Sequence, residues 1–300
     1  MPFWTSVFPI RAQIVSSDLV TAFRSPIEFG GALKLKARPE WVLHDPLVNQ
    51  LMLDQLQIVK DSQFAFVVEY EADSVEGPDS EWTGSEERSI QESKSLLALR
   101  ANLALWLALP SPTGTHMGIH GQQGKDGWMT RTIDLHEPLK AHPSYALAAV
   151  MQSAAQQAGE IHQQMANLPP NSTVQIATDV TWAALTHQLP YVRYALFWTA
   201  LEALFGLATD GEPAFKLAQR IALFLESDGL SVQETYELAK ESYAFRSDAV
   251  QGRSWNKMKK PKGLDEDAVT LATETLIRRV LLRILQSPEA VQNFDAANLS

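Results

Sequence analysis

The sequence predicts an α+β protein, with a mixed α/β module over residues 1–172 followed by an all-α helical bundle over 173–300. Three observations predict it. The segment Phe64–Tyr70 (FAFVVEY) is rich in β-branched and aromatic residues, the composition of a buried strand. Beyond residue 172, apolar residues recur at helical spacing almost without interruption. Between the two lies LPPNST, where paired prolines followed by Asn-Ser stop any helix.

In chain order, Ile27–Arg38 ends in alternation, Leu33 and Leu35 against Lys34 and Lys36, which reads as a half-buried strand. Trp41–Val59 has apolar residues at mostly helical spacing. Residues 73–92 read as a loop leading into a helix, with Ser89 and Glu92 as a capping box before the apolar run Leu96–Leu109. That run is too short to span a bilayer, which needs roughly 20 residues, so it reads as a core helix. Gly114–Gly127 reads as a glycine-rich loop, Trp128–Leu135 as a further strand, and about 144–166 as an Ala/Gln-rich helix.

The second half continues with Tyr191–Phe205, apolar nearly all round and therefore expected inside a bundle or an interface. A helix starts near Pro213, a residue suited to a first turn, and runs to about Glu226. Ser231 and Glu234 form a capping box for a helix with the stripe Val232, Tyr236, Ala239 and Tyr243. A last helix follows Asp265, with Ile277, Val280, Leu281 and Ile284 on one face.

Composition excludes several classes. The chain has 300 residues, 45% hydrophobic and 20% charged, and a net charge of −10. An excess of acid is unsuited to coating duplex DNA. The absence of cysteine removes disulfides, thiol nucleophiles and thiolate metal sites. The N-terminal MPFWTSVFPIR has no basic region before its apolar stretch, so a cytoplasmic protein without a membrane span is expected. Charge is spread unevenly. Residues 61–92 hold ten acids and one base, whereas 246–262 hold six bases and one acid. The basic run includes Trp255, which could stack on a base; its plainer reading is a solvated loop.

Two apparent motifs fail. His116 and His120 have the i,i+4 spacing of a helical metal pair, but Gly118 and Gly121 argue against a helix, and no glutamate follows the first histidine. The Gly118–Gly124 stretch before Lys125 has one residue too many for a phosphate loop, and Asp126 stands where the metal-binding hydroxyl belongs. There is no GxSxG elbow and no GxGxxG, and no sequence signal marks a Ser–His–Asp site. No metal and no cofactor is expected.

The second half does carry one constellation. Tyr194-Ala-Leu-Phe-Trp-Thr-Ala-Leu-Glu-Ala-Leu-Phe205 embeds Glu202 in an aromatic helix. Phe215-Lys-Leu-Ala-Gln-Arg-Ile-Ala222 places Arg220 in an apolar helix. Tyr243-Ala-Phe-Arg-Ser-Asp-Ala-Val-Gln-Gly252 ends the series. In this order the three pieces resemble the HEPN superfamily, specifically its Apea-like members, over about residues 190–286. The resemblance implies a helical bundle that dimerises and, in active members, a metal-independent ribonuclease using an Arg-x4–6-His motif. Such a histidine would exchange protons with the ribose 2′-hydroxyl and the leaving oxygen, and the arginine would hold the phosphate.

Arg246 matches the arginine and Ser247 the polar residue after it, but Gln251 occupies the histidine position. A glutamine amide does not titrate near neutrality. Losing a general base typically costs about 10²–10⁴ in rate. The expectation is therefore an RNA- or nucleotide-binding homodimer with weak or no ribonuclease activity, and the resemblance implies a setting of prokaryotic defence or stress response. The alternatives are an active endonuclease using another base and a structural module that recruits a protein partner. Glu202, Arg220 and Ser247 are the supporting network. Arg253, Trp255, Lys257, Lys259, Lys260 and Lys262 are the RNA-binding candidates. A buried Glu202–Arg220 ion pair fixing bundle register is the plain structural reading of those two charges.

Overall fold

The computed structural model describes residues 3–11, 25–71, 85–110, 114–142, 152–206, 213–250 and 265–298. The protein is α+β, an N-terminal antiparallel sheet with helices followed by an all-helical C-terminal region. Two compact units divide the chain: Met1–Leu139 with Tyr145–Gln163, and Lys140–Ser144 with Gln164–Ser300.

The first unit is built on a seven-stranded antiparallel sheet. Its strands are β1 (Phe3–Arg11), β2 (Ile27–Gly30), β3 (Leu33–Ala37), β4 (Phe64–Glu71), β5 (Gly114–Thr115), β6 (Met117–Gly124) and β7 (Gly127–Leu135). The order is β2-β3-β4-β1-β6-β7, with β5 paired to β1. The expected strand in Ile27–Arg38 is a hairpin, because Gly30, Gly31 and Ala32 all adopt positive φ and turn the chain back. Helical spacing over Trp41–Val59 resolves into α1 (Trp41–His44), a 3₁₀ turn at Val48–Gln50 and α2 (Leu53–Asp61). Asp45 forces the break: its Oδ1 accepts from the amides of Leu47 and Val48, and its Oδ2 from the amide of Thr130.

Alternation along the strands divides the core into two layers. Val7, Ala65, Val67, Met117 and Ile119 pack with Val42, Val48 and Val59 of the α1–α2 segment. On the opposite face lie Phe8, Leu33, Leu35, Phe66 and His120, all essentially inaccessible. That face carries α3 (Ser85–Ala108) and the first part of α4 (Gln152–Ala166). His162 of α4 is pinned there, with Nδ1 2.5 Å from the Phe29 carbonyl and Nε2 3.2 Å from that of Leu97. Since α3 begins at Ser85, the Ser89–Glu92 pair lies inside the helix rather than at its cap. The upstream part of the expected 144–166 helix, residues 143–151, falls outside the described residues.

The expected loop Gly114–Gly127 is instead β5 and the central strand β6, with the turn only at its end. Its glycines are there for packing rather than flexibility. A Cβ on Gly118 would stand 2.7 Å from the Phe8 ring, and one on Gly121 2.7 Å from the Trp41 ring. Trp128–Leu135 lies in β7 as expected.

The second unit holds α5 (Thr173–Thr186), α6 (Pro190–Phe205), α7 (Pro213–Leu225), α8 (Val232–Val250), α9 (Glu266–Ile284) and α10 (Pro288–Asn298). Ser172 caps α5 by accepting from the Gln175 amide, and Asp265 caps α9 by accepting from the Ala268 amide. Tyr194, Phe197, Trp198, Leu201, Leu204 and Phe205 of α6 are buried, as its all-round apolarity requires, whereas Tyr191 is exposed. The buried stripe of α8 runs through Thr235, Ala239, Ser242 and Phe245, so the expected stripe of Val232, Tyr236 and Tyr243 flanks it instead. Ile277, Val280, Leu281 and Ile284 of α9 are buried together. A further helix, α10, follows the one expected to be last.

Candidate functional site

Glu202 sits on α6 one turn beyond Trp198, and Tyr243 and Arg246 sit one turn apart on α8. Helical spacing therefore presents three polar side chains at one place between two helices. Tyr243 Oη donates to Glu202 Oε1 at 2.7 Å, and Arg246 Nη2 donates to Glu202 Oε2 at 2.8 Å. Each carboxylate oxygen thus takes one donor. The guanidinium carbon lies 5.5 Å from the centre of the Tyr243 ring, and Trp198, fully buried, meets that ring edge-on at 5.2 Å. Arg246 Nε is enclosed with no acceptor within reach among the described residues. The side chains of Arg246 and Glu202 remain 23% and 29% exposed, so the cluster borders solvent. Burial, and then the hydrogen bond to Glu202, raise the Tyr243 phenol above its ordinary pKa, keeping it a neutral donor.

The expected Glu202–Arg220 pair is corrected. Arg220 is exposed on α7, and its Nη1 donates to the Phe205 carbonyl at 3.1 Å, at the end of α6. A helix C-terminus presents unpaired carbonyls and partial negative charge, so it competes well for a nearby guanidinium. Glu202 is left to Arg246. Ser247 lies on α8 beside Arg246, but its side chain is outside the described residues, as are Gln251, Arg253, Trp255, Lys257, Lys259, Lys260 and Lys262.

A second Arg–Glu pair in the bundle escaped sequence reading. Arg193 Nη2 donates to Glu274 Oε2 at 3.2 Å, and Glu274 Oε1 also accepts from the His142 amide at 3.1 Å. Glu274 is fully enclosed and Arg193 is 11% exposed. Burial pulls the Arg193 pKa down and the facing carboxylate opposes this. Nearby, Tyr194 Oη donates to the Ser242 carbonyl, and burial pushes its phenol far upward. No motif marks this pair, because its partners are far apart in sequence.

The first unit holds a Ser–His–Asp arrangement that no sequence signal marked. His120 Nδ1 lies 2.7 Å from Ser6 Oγ, and His120 Nε2 lies 3.1 Å from Asp134 Oδ2. Adjacent strands place the three on one face, since Ser6 is registered with His120 and Gly118 with Asp134. Ser95 and Gln91 of α3 reach the same face through Asp134 and Thr132. The geometry is the reverse of a nucleophilic site. Ser6 and His120 are fully enclosed, and the carboxylate, 34% exposed, is the end that meets water. A serine that substrate cannot touch is a structural hydroxyl. The hydrogen bond to His120 holds the Asp134 carboxyl below its ordinary pKa, while burial lowers that of His136 beside it.

Among the described residues, no group of three or more His, Asp or Glu side chains could hold a metal ion. No helix there is long and apolar enough to cross a membrane. The chain matches no protein-family model, no curated protein and no solved structure.

Proposed function

We propose that the C-terminal bundle is a HEPN-like module that binds RNA or a nucleotide through Arg246, dimerises, and has weak or no ribonuclease activity. One observation carries the reading: Arg246 and Tyr243 stand together at the solvent edge of the bundle, aimed at one acidic group. Guanidinium and phenol are donors suited to phosphate oxygens. Gln251 takes the place where the resemblance expects a histidine. Binding without efficient proton transfer follows from that chemistry. The reading includes a cytoplasmic protein.

The test is RNA binding and cleavage by the full-length protein in EDTA, with Arg246→Ala and Gln251→His beside it. The reading expects binding without cleavage in the native protein, loss of binding in Arg246→Ala and cleavage gained by Gln251→His. Cleavage by the native protein that vanishes in Arg246→Ala would replace it with the active-endonuclease reading. Absence of RNA binding at low salt, where phosphate contacts are strongest, would leave the protein-recruiting module.

A further inference from the structure

We propose that Tyr243 and Arg246 form an anion cradle that Glu202 fills as a built-in counter-anion, and that its external ligand is a terminal phosphate. The inference rests on the reading of Arg246 as a phosphate contact, and it adds the ligand class and the means of control.

The cradle and its occupant come from different helices. The donors sit one turn apart on α8, and the carboxylate arrives from α6. Packing holds Tyr243 in place without help from Glu202: Trp198 is fully buried behind its ring, and the guanidinium covers part of the ring. The two donors meet the two oxygens of a single carboxylate at 2.7 and 2.8 Å, the distances of charge-assisted contacts.

Glu202 is able to leave. Its side chain is 29% exposed and its three torsions can carry the carboxylate into water. The other Arg–Glu pair of the bundle differs on each point: Glu274 is fully enclosed and is held by a backbone amide besides Arg193. That pair is a fixture, and the Glu202 pair is a displaceable contact.

Displacement selects for charge. An internal phosphodiester carries one negative charge, so exchanging it for the Glu202 carboxylate adds no Coulomb attraction at Arg246. A phosphate monoester carries between one and a half and two charges near neutrality. It therefore gains where the diester breaks even. A 5′-phosphorylated RNA end and a free mononucleotide share this chemistry.

Calorimetric titration of the full-length protein at low ionic strength tests the proposal. The probes are inorganic phosphate, uridine monophosphate, and one short oligoribonucleotide with either a 5′-phosphate or a 5′-hydroxyl. Glu202→Ala should bind inorganic phosphate at least about tenfold more tightly than the native protein, which corresponds to about 1.4 kcal/mol. Glu202→Ala/Arg246→Ala should lose that gain. If Glu202→Ala does not fold, Glu202→Gln keeps the shape and carries the same expected direction. The 5′-phosphorylated oligomer should outbind its 5′-hydroxyl counterpart. Its affinity against that of uridine monophosphate tells which source the cradle serves. Equal phosphate affinity in the native protein and Glu202→Ala, or indifference to the terminal phosphate, would overturn the proposal. RNA binding that still depends on Arg246 in that event would leave the broader RNA-binding reading standing.

Discussion

The sheet and the bundle each bring a polar cluster together, and the two clusters are built in opposite ways. In the sheet, Ser6 and His120 are enclosed and only Asp134 meets water. In the bundle, Arg246, Tyr243 and Glu202 all reach the surface, and what is enclosed is the Trp198 ring behind them. The first resembles a catalytic trio by residue type, but its serine and histidine are closed off. The second has glutamine at the expected histidine position and borders solvent. The difference teaches that two polar clusters of similar chemistry are told apart by which of their atoms meet solvent.

The comparison extends to the two Arg–Glu pairs of the bundle, and there it should break most visibly. Glu274→Ala strands the buried Arg193 and the His142 amide, and removing one member of a buried pair costs about 3–5 kcal/mol. Glu202→Ala removes a partly exposed pair, worth about 0–1 kcal/mol. Urea unfolding followed by helical circular dichroism should separate the two variants clearly. Equal losses would mean that both pairs are structural.

A smaller loss is expected in the sheet. Gly121→Ala drives a Cβ against the Trp41 ring, an overpacking that typically costs about 1–3 kcal/mol. Gly124→Ala, on the same strand but exposed, with no positive φ and only ordinary contact at its Cβ, should cost no more than about 0.5 kcal/mol. Thermal unfolding that ranks these two the other way would contradict the packing role given to the β6 glycines.

The smallest effect is one of pH. Asp134 and His136 both have folded-state pKa values below their ordinary ones. For both, the unfolded chain binds protons first, so stability is present at higher pH and is lost as pH falls. The His136 contribution starts to fade near its unfolded value of about 6.5, and that of Asp134 near about 3.9. Unfolding measured from pH 7 to pH 3 should show Asp134→Asn flattening only the acidic end of the decline. Flattening above pH 5 in that variant would show that Asp134 acts through His136 and not through its own titration.

Much of the fold was legible because periodicity follows burial. The all-round apolarity of α6, the face of α9 and the alternation of β3 each recorded a packing partner. The strand β6 was hidden because its Gly118 and Gly121 yield space to rings from β1 and α1, so the residues that mark it as central carry no side chains. At the site, Glu202, Arg220 and Arg246 could be picked out as one network, but the arginine that Glu202 takes could not, nor could the part of Tyr243. That depends on how α6 meets α8, and Arg220, the partner the sequence favours, is taken by the end of α6. The Ser6–His120–Asp134 trio was invisible for the same reason, being a product of strand register.

The central claim is that the bundle's open cluster binds a nucleic-acid or nucleotide phosphate and does not cut. Its most direct test is a single gel-shift and cleavage experiment with labelled single-stranded RNA in EDTA at low salt, comparing the native protein with Arg246→Ala. The account predicts a shifted, intact RNA with the native protein and at least about a tenfold weaker shift with Arg246→Ala. Binding unaffected by Arg246→Ala, or cleavage by the native protein that requires Arg246, would contradict it.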